Sequence, residues 1–368
     1  MNLRIPGPTP LPPQVTAALQ RPMINHRGPT FAELQKKIVA GLQPVLETKN
    51  DILILPSSGT GGLEAALVNV LSPGDRVLAC TAGSFGERFA KIAAAFGAQV
   101  DKLTFPDGVA IEPERVVEKL RAAPETRAVL ITHSETSTGV LHPVPELARV
   151  IHANSNALVL VDAVSSAGAT RFATDEWGID VVITGSQKAL MSPPGAAILA
   201  ISERAWHAYE TARVPRFYWD WKEWKKWAVK GETPFTPALP IYFALDAALD
   251  LIHAEGLPAI FARHERLAEL SRTRTQQLGF KLLPEPRYAS PTVTALYPPT
   301  GVDARELIRR TRDDMGVEFA GGQGDLTGKI IRIGHLGYVH DADIQHALNV
   351  LEQALVAPVV LQSAALGD

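Results

Sequence analysis

The chain has a single cysteine, Cys80, in 368 residues, so an intrachain disulfide is impossible, and a reducing cytoplasm is the expected location. A surplus of charge is also missing. Lys and Arg number 36 against 39 Asp and Glu, a formal net charge of −3, which offers no broad basic face to nucleic acid or to an anionic membrane. No stretch approaches the roughly 18 uninterrupted apolar residues of a membrane span. Residues 1–13 are proline-rich and lack the basic segment and apolar run of a signal peptide. Internal repeats and low-complexity tracts are absent. So are three catalytic strings: the Gly-Lys-Ser/Thr of a Walker A loop, H-E-x-x-H and G-x-S-x-G.

What is present is the composition of a soluble globular protein, 46% hydrophobic and 20% charged, long enough for one large domain and a smaller one. Short apolar runs at 52–55, 77–80, 98–103, 128–132, 157–161, 181–184 and 196–201 predict strands. Most are continuous, as in strands buried on both faces of a parallel sheet. Helical patterns at 63–71, 85–96, 114–122 and 145–153 lie between them, which predicts a doubly wound α/β domain. After residue 201 the pattern changes. An aromatic and basic stretch at 217–227 precedes a proline-punctuated segment at 231–240, then long helical patterns to 254 and from 257 to 278. Strands at 292–296 and 330–333 and helices at 304–312 and 341–355 predict a smaller α+β domain. The expected division is an N-terminal segment at 1–20, a large domain at 21–260 and a small domain at 261–368.

Ligands of open α/β sheets bind beyond the carboxyl ends of the strands, and four such ends carry residues with chemistry. The first leads into Ser57-Ser58-Gly59-Thr60-Gly61-Gly62. Small residues here let backbone N–H groups approach a phosphate at a helix N-terminus, or they form a plain turn capped by Ser58 or Thr60. Glu64 stands where a dinucleotide fingerprint needs its third glycine. The second end leads into His133-Ser134-Glu135-Thr136. The third stops at Asp162, whose carboxylate at the edge of an apolar run needs a partner: a protonated pyridine nitrogen, or turn amides. The fourth leads into Gln187 and Lys188. Burial there would make Lys188 a neutral nucleophile toward an aldehyde; the alternative is a lysine reaching solvent. Arg332, flanked by isoleucines, reads either as a clamp for a carboxylate or as a structural ion pair.

Taken together, these residues resemble the class V aminotransferases of the alanine–glyoxylate and serine–pyruvate (serine–glyoxylate) group. The matching strings are PGPTP at 6–10, SSGTGGLEAAL at 57–67, HSETSTGVLHP at 133–143, VDAVSSAG at 161–168, WGIDVVITGSQKALMSPPG at 177–195, TPFTPA at 233–238 and RIGHLG at 332–337. They are spread over most of the chain. The resemblance implies the fold of the pyridoxal-phosphate (PLP) transferases, fold type I, with a mainly parallel central sheet, helices on both faces and a smaller C-terminal α+β domain. It implies pyridoxal 5'-phosphate as cofactor and Lys188 as the Schiff-base lysine. Asp162 would face the pyridine nitrogen, with Val164 against the ring. Ser58, Gly59, Thr60 and Gln187 match phosphate-binding positions, and Thr136 a position near the phenolic oxygen. Arg332 matches the arginine for the substrate carboxylate, and Gly7 lies in the N-terminal substrate loop. Thr236 matches a residue that reaches the neighbouring subunit's phosphate, implying a homodimer with shared active sites.

The chain departs from the pattern at the ring-stacking position, where relatives often carry Trp or His and this sequence has Phe85, able to stack but not to hydrogen-bond. The expected reaction is ping-pong transfer of an amino group from alanine or serine to glyoxylate or pyruvate. Other readings stay open: an aminotransferase for 2-aminoethylphosphonate or phosphoserine, or a non-catalytic scaffold of the same fold. A cysteine desulfurase would need a mobile cysteine, and Cys80 ends a buried strand. A zinc deaminase would need two close cysteines. The cluster Tyr218, Trp219, Trp221, Trp224 and Trp227 reads as a packing surface, or as a lining of the substrate entrance or dimer contact.

Overall fold

The computed structural model describes residues 1–356. Its centre is a seven-stranded sheet in the order Asp51–Leu55, Ala197–Ile201, Val181–Gly185, Leu158–Asp162, Ala128–Thr132, Arg76–Thr81, Gln99–Thr104. Only Ala197–Ile201 runs antiparallel to its neighbours. The continuous apolar runs have a direct cause. Alternate residues of each strand point to opposite faces, and both faces are covered. Ile52, Ile54, Val129, Ile131, Val159, Val161 and Val182 enter one buried cluster. Leu53, Leu55, Ala128, Leu130, Leu158, Leu160 and Ile183 enter the other.

The first cluster is closed by helices Pro29–Val45, Val144–Asn154 and Leu239–Glu255. The second is closed by Gly59–Val70, Ser84–Ala95, Glu203–Thr211 and Trp221–Ala228. Trp221 and Trp224 are core residues of that layer, so this part of the aromatic stretch packs the fold. Phe217 stays 82% exposed, and Tyr218 stacks on Phe235 with ring centroids 4.7 Å apart. Gln99–Thr104 is the exception to continuous burial, because it is the edge strand and presents a polar outer row.

A second sheet of five strands has the order Asn2–Arg4, Val317–Gly321, Ile331–Gly334, Val293–Tyr297, Lys281–Leu282. Its core includes Leu267 of the long helix Leu257–Gln277 and Ile344, Leu348 and Leu351 of helix Asp341–Val356. The first strand of the chain lies here, parallel to Val317–Gly321 with Asn2 opposite Val317. The segment that follows it is thereby led back over the carboxyl ends of the large sheet, where Thr9 donates its N–H to the Gln187 carbonyl at 3.2 Å. No helix among the described residues is long and apolar enough to cross a membrane.

Candidate active site

Lys188 follows strand Val181–Gly185 and is buried. Its Nζ donates to the Pro6 carbonyl at 2.5 Å, and Thr9 Oγ1 donates to the Lys188 carbonyl at 3.1 Å. The N-terminal segment therefore roofs the amine, at the one place where the backbone can come so close. Gly7 has φ +124°, and a Cβ there would stand 2.6 Å from Lys188 Nζ. Loss of water first and the Arg332 charge next lower the amine's pKa from 10.5 to about 8, against the opposing pull of Asp162. At that value about a tenth of the amine is the free-base nucleophile at pH 7, far more than in an ordinary lysine.

Asp162 ends the adjacent strand Leu158–Asp162. Oδ1 accepts the Val164 N–H at 3.0 Å, and that is the carboxylate's one hydrogen bond among the described residues. No ion pair reaches it among the described residues. Burial raises its pKa to about 6, with the Val164 bond opposing and the Glu135 charge adding to the rise. Asp180 shows what a structural aspartate looks like in the same sheet. It too is buried, but it bonds Arg204 at 3.0 Å, Ser202 Oγ at 3.0 Å and the Val159 N–H at 2.9 Å. A buried carboxylate left so short of partners is costly unless another molecule completes it.

Arg332, on strand Ile331–Gly334 of the small sheet, is buried and meets no carboxylate within 4.0 Å among the described residues. Its Nε donates to the Gly321 carbonyl at 2.8 Å and Nη1 to the Thr136 carbonyl at 2.9 Å. Desolvation lowers its pKa to about 10. The ion-pair alternative drawn from the sequence therefore has no counterpart here. The guanidinium is held by neutral carbonyls and keeps its charge available to an anion.

The glycine-rich turn opens helix Gly59–Val70. Ser58 is the N-cap residue, yet no side chain caps this helix, so its leading amides are not met by Ser58 or Thr60. Thr60 Oγ1 instead accepts from Arg88 Nη1 at 3.2 Å. A Cβ on Gly59 would fall 2.7 Å from Val164 Cγ2, which places the turn directly against the segment after Asp162. Gln187 Oε1 is buried with no hydrogen-bond partner among the described residues. Phe85 lies in the first turn of helix Ser84–Ala95, its ring 4.8 Å from the Arg88 guanidinium carbon. Thr136 Oγ1 shares a 2.7 Å bond with Ser165 Oγ. Thr236 stands apart: it is exposed and its side chain makes no hydrogen bond among the described residues.

The family described as Aminotransferase class-V matches residues 2–323. The chain belongs to the class V aminotransferases. A relative from Synechococcus sp. named soluble hydrogenase, small subunit, is 43% identical over 96% of this chain and 92% of its own length. The L-aspartate–glyoxylate aminotransferase of Paracoccus denitrificans is 39% identical over 92% of this chain and 87% of its own. The alanine–glyoxylate aminotransferase of Nostoc sp. superposes with a TM-score of 0.93 at 32% identity, covering 96% of this chain and 94% of that one. The hydrogenase name stays with its bearer. This aminotransferase has one cysteine, and among its described residues no group of three or more His, Cys, Asp or Glu is placed to hold a metal.

The cofactor of this class V aminotransferase is pyridoxal 5'-phosphate, and the donor set fits that molecule. An aldehyde needs a nucleophilic amine, a pyridinium nitrogen a free carboxylate oxygen, and a phosphate an uncapped helix N-terminus. Lys188, Asp162 and helix Gly59–Val70 each carry one of these. Two neighbours escaped the sequence reading as site residues. Arg88 brings a cation to the mouth of the glycine-rich turn; its position one helical turn after Phe85 was the available signal. Glu135 stood in the sequence reading among the residues after the second strand end but was given no role, and its buried carboxylate lies among the site's backbone amides. Cys80 is buried, its thiol pushed up to about 12, and is unsuited to desulfurase chemistry.

Proposed function

We propose that this aminotransferase moves an amino group from a small amino acid, alanine or serine, to glyoxylate or pyruvate in a ping-pong sequence. The observation that carries the reading is the convergence of three buried, incompletely satisfied groups: the Lys188 amine, the Asp162 carboxylate and the Arg332 guanidinium. Bound pyridoxal phosphate supplies the electron sink into which the broken Cα–H bond discharges. Lys188 would hold the cofactor at rest and then, as a free amine, take the proton from Cα and deliver it to the cofactor carbon on the far side of the amino nitrogen. Asp162 would keep the ring nitrogen protonated. Arg332 would fix the substrate carboxylate so that the Cα–H bond faces the amine. Phe85 and Val164 would close the two faces of the ring, and Thr136 would lie near its phenolic oxygen. Ser58, Gly59, Thr60 and Gln187 would hold the phosphate.

Gly7 keeps the N-terminal roof close enough to exclude water from Lys188. Thr236 is exposed beside the stacked pair Tyr218 and Phe235. That exposure supports a homodimer in which each subunit lends Thr236 to the other's phosphate. Two of the relatives above are named for glyoxylate, which supports it as acceptor.

Lys188→Ala should abolish turnover and the borohydride-trappable cofactor adduct; retention of both would overturn the assignment. A panel of L-alanine, L-serine, L-aspartate, 2-aminoethylphosphonate and phosphoserine, read by the absorbance change of the bound cofactor, identifies the donor. Faster reaction with a phosphorus-containing donor than with alanine or serine would replace the substrate proposal without touching the cofactor reading.

A further inference from the structure

Glu135 is among the most buried charged residues of the chain, 1% exposed, and no lysine or arginine nitrogen lies within 4.0 Å of it among the described residues. Its oxygens are occupied otherwise. Oε2 accepts the N–H of Phe85 at 3.1 Å and of Gly86 at 3.0 Å. Oε1 accepts the Ser137 N–H at 3.1 Å and the Ser137 hydroxyl at 2.5 Å. The Ser137 hydroxyl oxygen in turn accepts the Ser84 N–H at 2.9 Å. Three successive amides at the start of helix Ser84–Ala95 are thus met from another strand end. The helix's own N-cap residue, Gly83, has no side chain to do it. An acidic group suits this place, because the helix dipole presents partial positive charge there.

The next residue along turns the other way. The Thr136 carbonyl receives Arg332 Nη1 at 2.9 Å, and the Thr136 hydroxyl pairs with Ser165 two residues after Ala163. One carboxylate therefore ties the loop whose Thr136 carbonyl receives Arg332 of the small sheet to the start of helix Ser84–Ala95, which carries Phe85.

We infer that Glu135 is a positioning residue for the transamination, setting the ring-stacking pose of Phe85 and, through the Thr136 carbonyl, the aim of Arg332 at the substrate carboxylate. The inference rests on the proposed reaction, and it excludes a purely scaffolding role. If Glu135 only held the fold together, its loss would lower stability and leave the discrimination of bound molecules intact. If it positions Phe85 and Arg332, its loss must alter the cofactor's asymmetric surroundings and blunt the reward for a substrate carboxylate.

The test compares wild type, Glu135→Gln and Ser137→Ala, all loaded with pyridoxal phosphate. The readouts are visible circular dichroism of the bound cofactor and the half-reaction rates with L-alanine and with ethylamine, which lacks the carboxylate. Glu135→Gln keeps the side chain's shape but turns one acceptor into a donor opposite backbone N–H groups. It should reduce the dichroic signal and cut the L-alanine to ethylamine preference by roughly 10- to 100-fold, as misplacement of a clamp does. Ser137→Ala removes the hydroxyl bond to Oε1 and with it the relay to Ser84, leaves the Phe85 and Gly86 amides on Oε2, and should move both readouts the same way, by less. A wild-type dichroic signal and preference in either folded variant overturns the inference, whatever the melting temperature does. Should Glu135→Gln fail to fold, Ser137→Ala decides alone. If wild type itself shows no cofactor signal and no half-reaction, the functional proposal fails instead.

Discussion

Replacing Gly7 by alanine tests the placement of the catalytic amine through a residue that does no chemistry. The added Cβ would stand 2.6 Å from Lys188 Nζ, 2.7 Å from Cδ and 2.9 Å from Cε. An ordinary carbon–nitrogen contact is about 3.5 Å, so the amine must retreat by roughly 0.9 Å. Lys188 is the flexible partner, and its retreat stretches or breaks the 2.5 Å bond to the Pro6 carbonyl. The backbone pays separately, because φ +124° at Gly7 belongs to glycine and costs an L-residue about 1–3 kcal/mol.

Two effects are expected, and they separate. The thermal transition falls by a few degrees, consistent with that backbone strain. The rate of the L-alanine half-reaction falls roughly 100-fold, the order expected when a reacting group is displaced by about 1 Å. Stopped-flow absorbance of the bound cofactor measures the rate, and borohydride reduction shows that Lys188 still reaches the aldehyde. A wild-type rate in a variant that carries the strain would refute the claim that the N-terminal roof sets the amine's position. A variant with neither effect would refute the close approach itself.

Asp162→Asn removes a carboxyl whose pKa is about 6 in the folded chain and about 3.9 when unfolded. A raised pKa means that the folded state binds the proton more tightly, so stability is complete below about pH 4 and is lost as pH rises through about 6, by on the order of 3 kcal/mol. The melting temperature of the cofactor-free variant should therefore gain on wild type across that window, and a difference that ignores pH would sink the prediction. Arg332→Leu forfeits two charge-assisted bonds to a substrate carboxylate, about 3 kcal/mol or roughly 100-fold in kcat/KM. The loss should appear with L-alanine and be nearly absent with ethylamine; an equal loss with both would show that the guanidinium acts on the cofactor or the fold.

Lys188, Asp162 and the glycine-rich turn were legible because a sheet covered on both faces writes its strands as continuous apolar runs. A polar residue that ends such a run is conspicuous. Arg332 was legible on the same principle between Ile331 and Ile333, although the sequence could not choose between a substrate clamp and an ion pair. Strand Asn2–Arg4 was not legible, since three residues carry no period and the partner, Val317–Gly321, lies at the far end of the chain. Glu135 was hidden for a related reason. Its partners are backbone amides of Phe85 and Gly86, about fifty positions earlier, and an N–H group has no letter in the sequence.

The arrangement of charges also explains why recognition of a substrate and activation of the base belong together. Lys188 is held near 8 first by desolvation and next by the field of Arg332. The field of Arg332 is the part that a substrate carboxylate held there would cancel. On the proposed roles, a carboxylate docking on Arg332 would neutralise that cation, and the amine's affinity for a proton would rise when the Cα proton comes within reach. A primary amine without the carboxylate leaves the repulsion in place and meets a weaker base. The expected preference for amino acids over simple amines would then have two sources in one contact, orientation by the clamp and basicity restored across it. Only the first would survive if Arg332 were replaced by a neutral hydrogen-bond donor of the same reach.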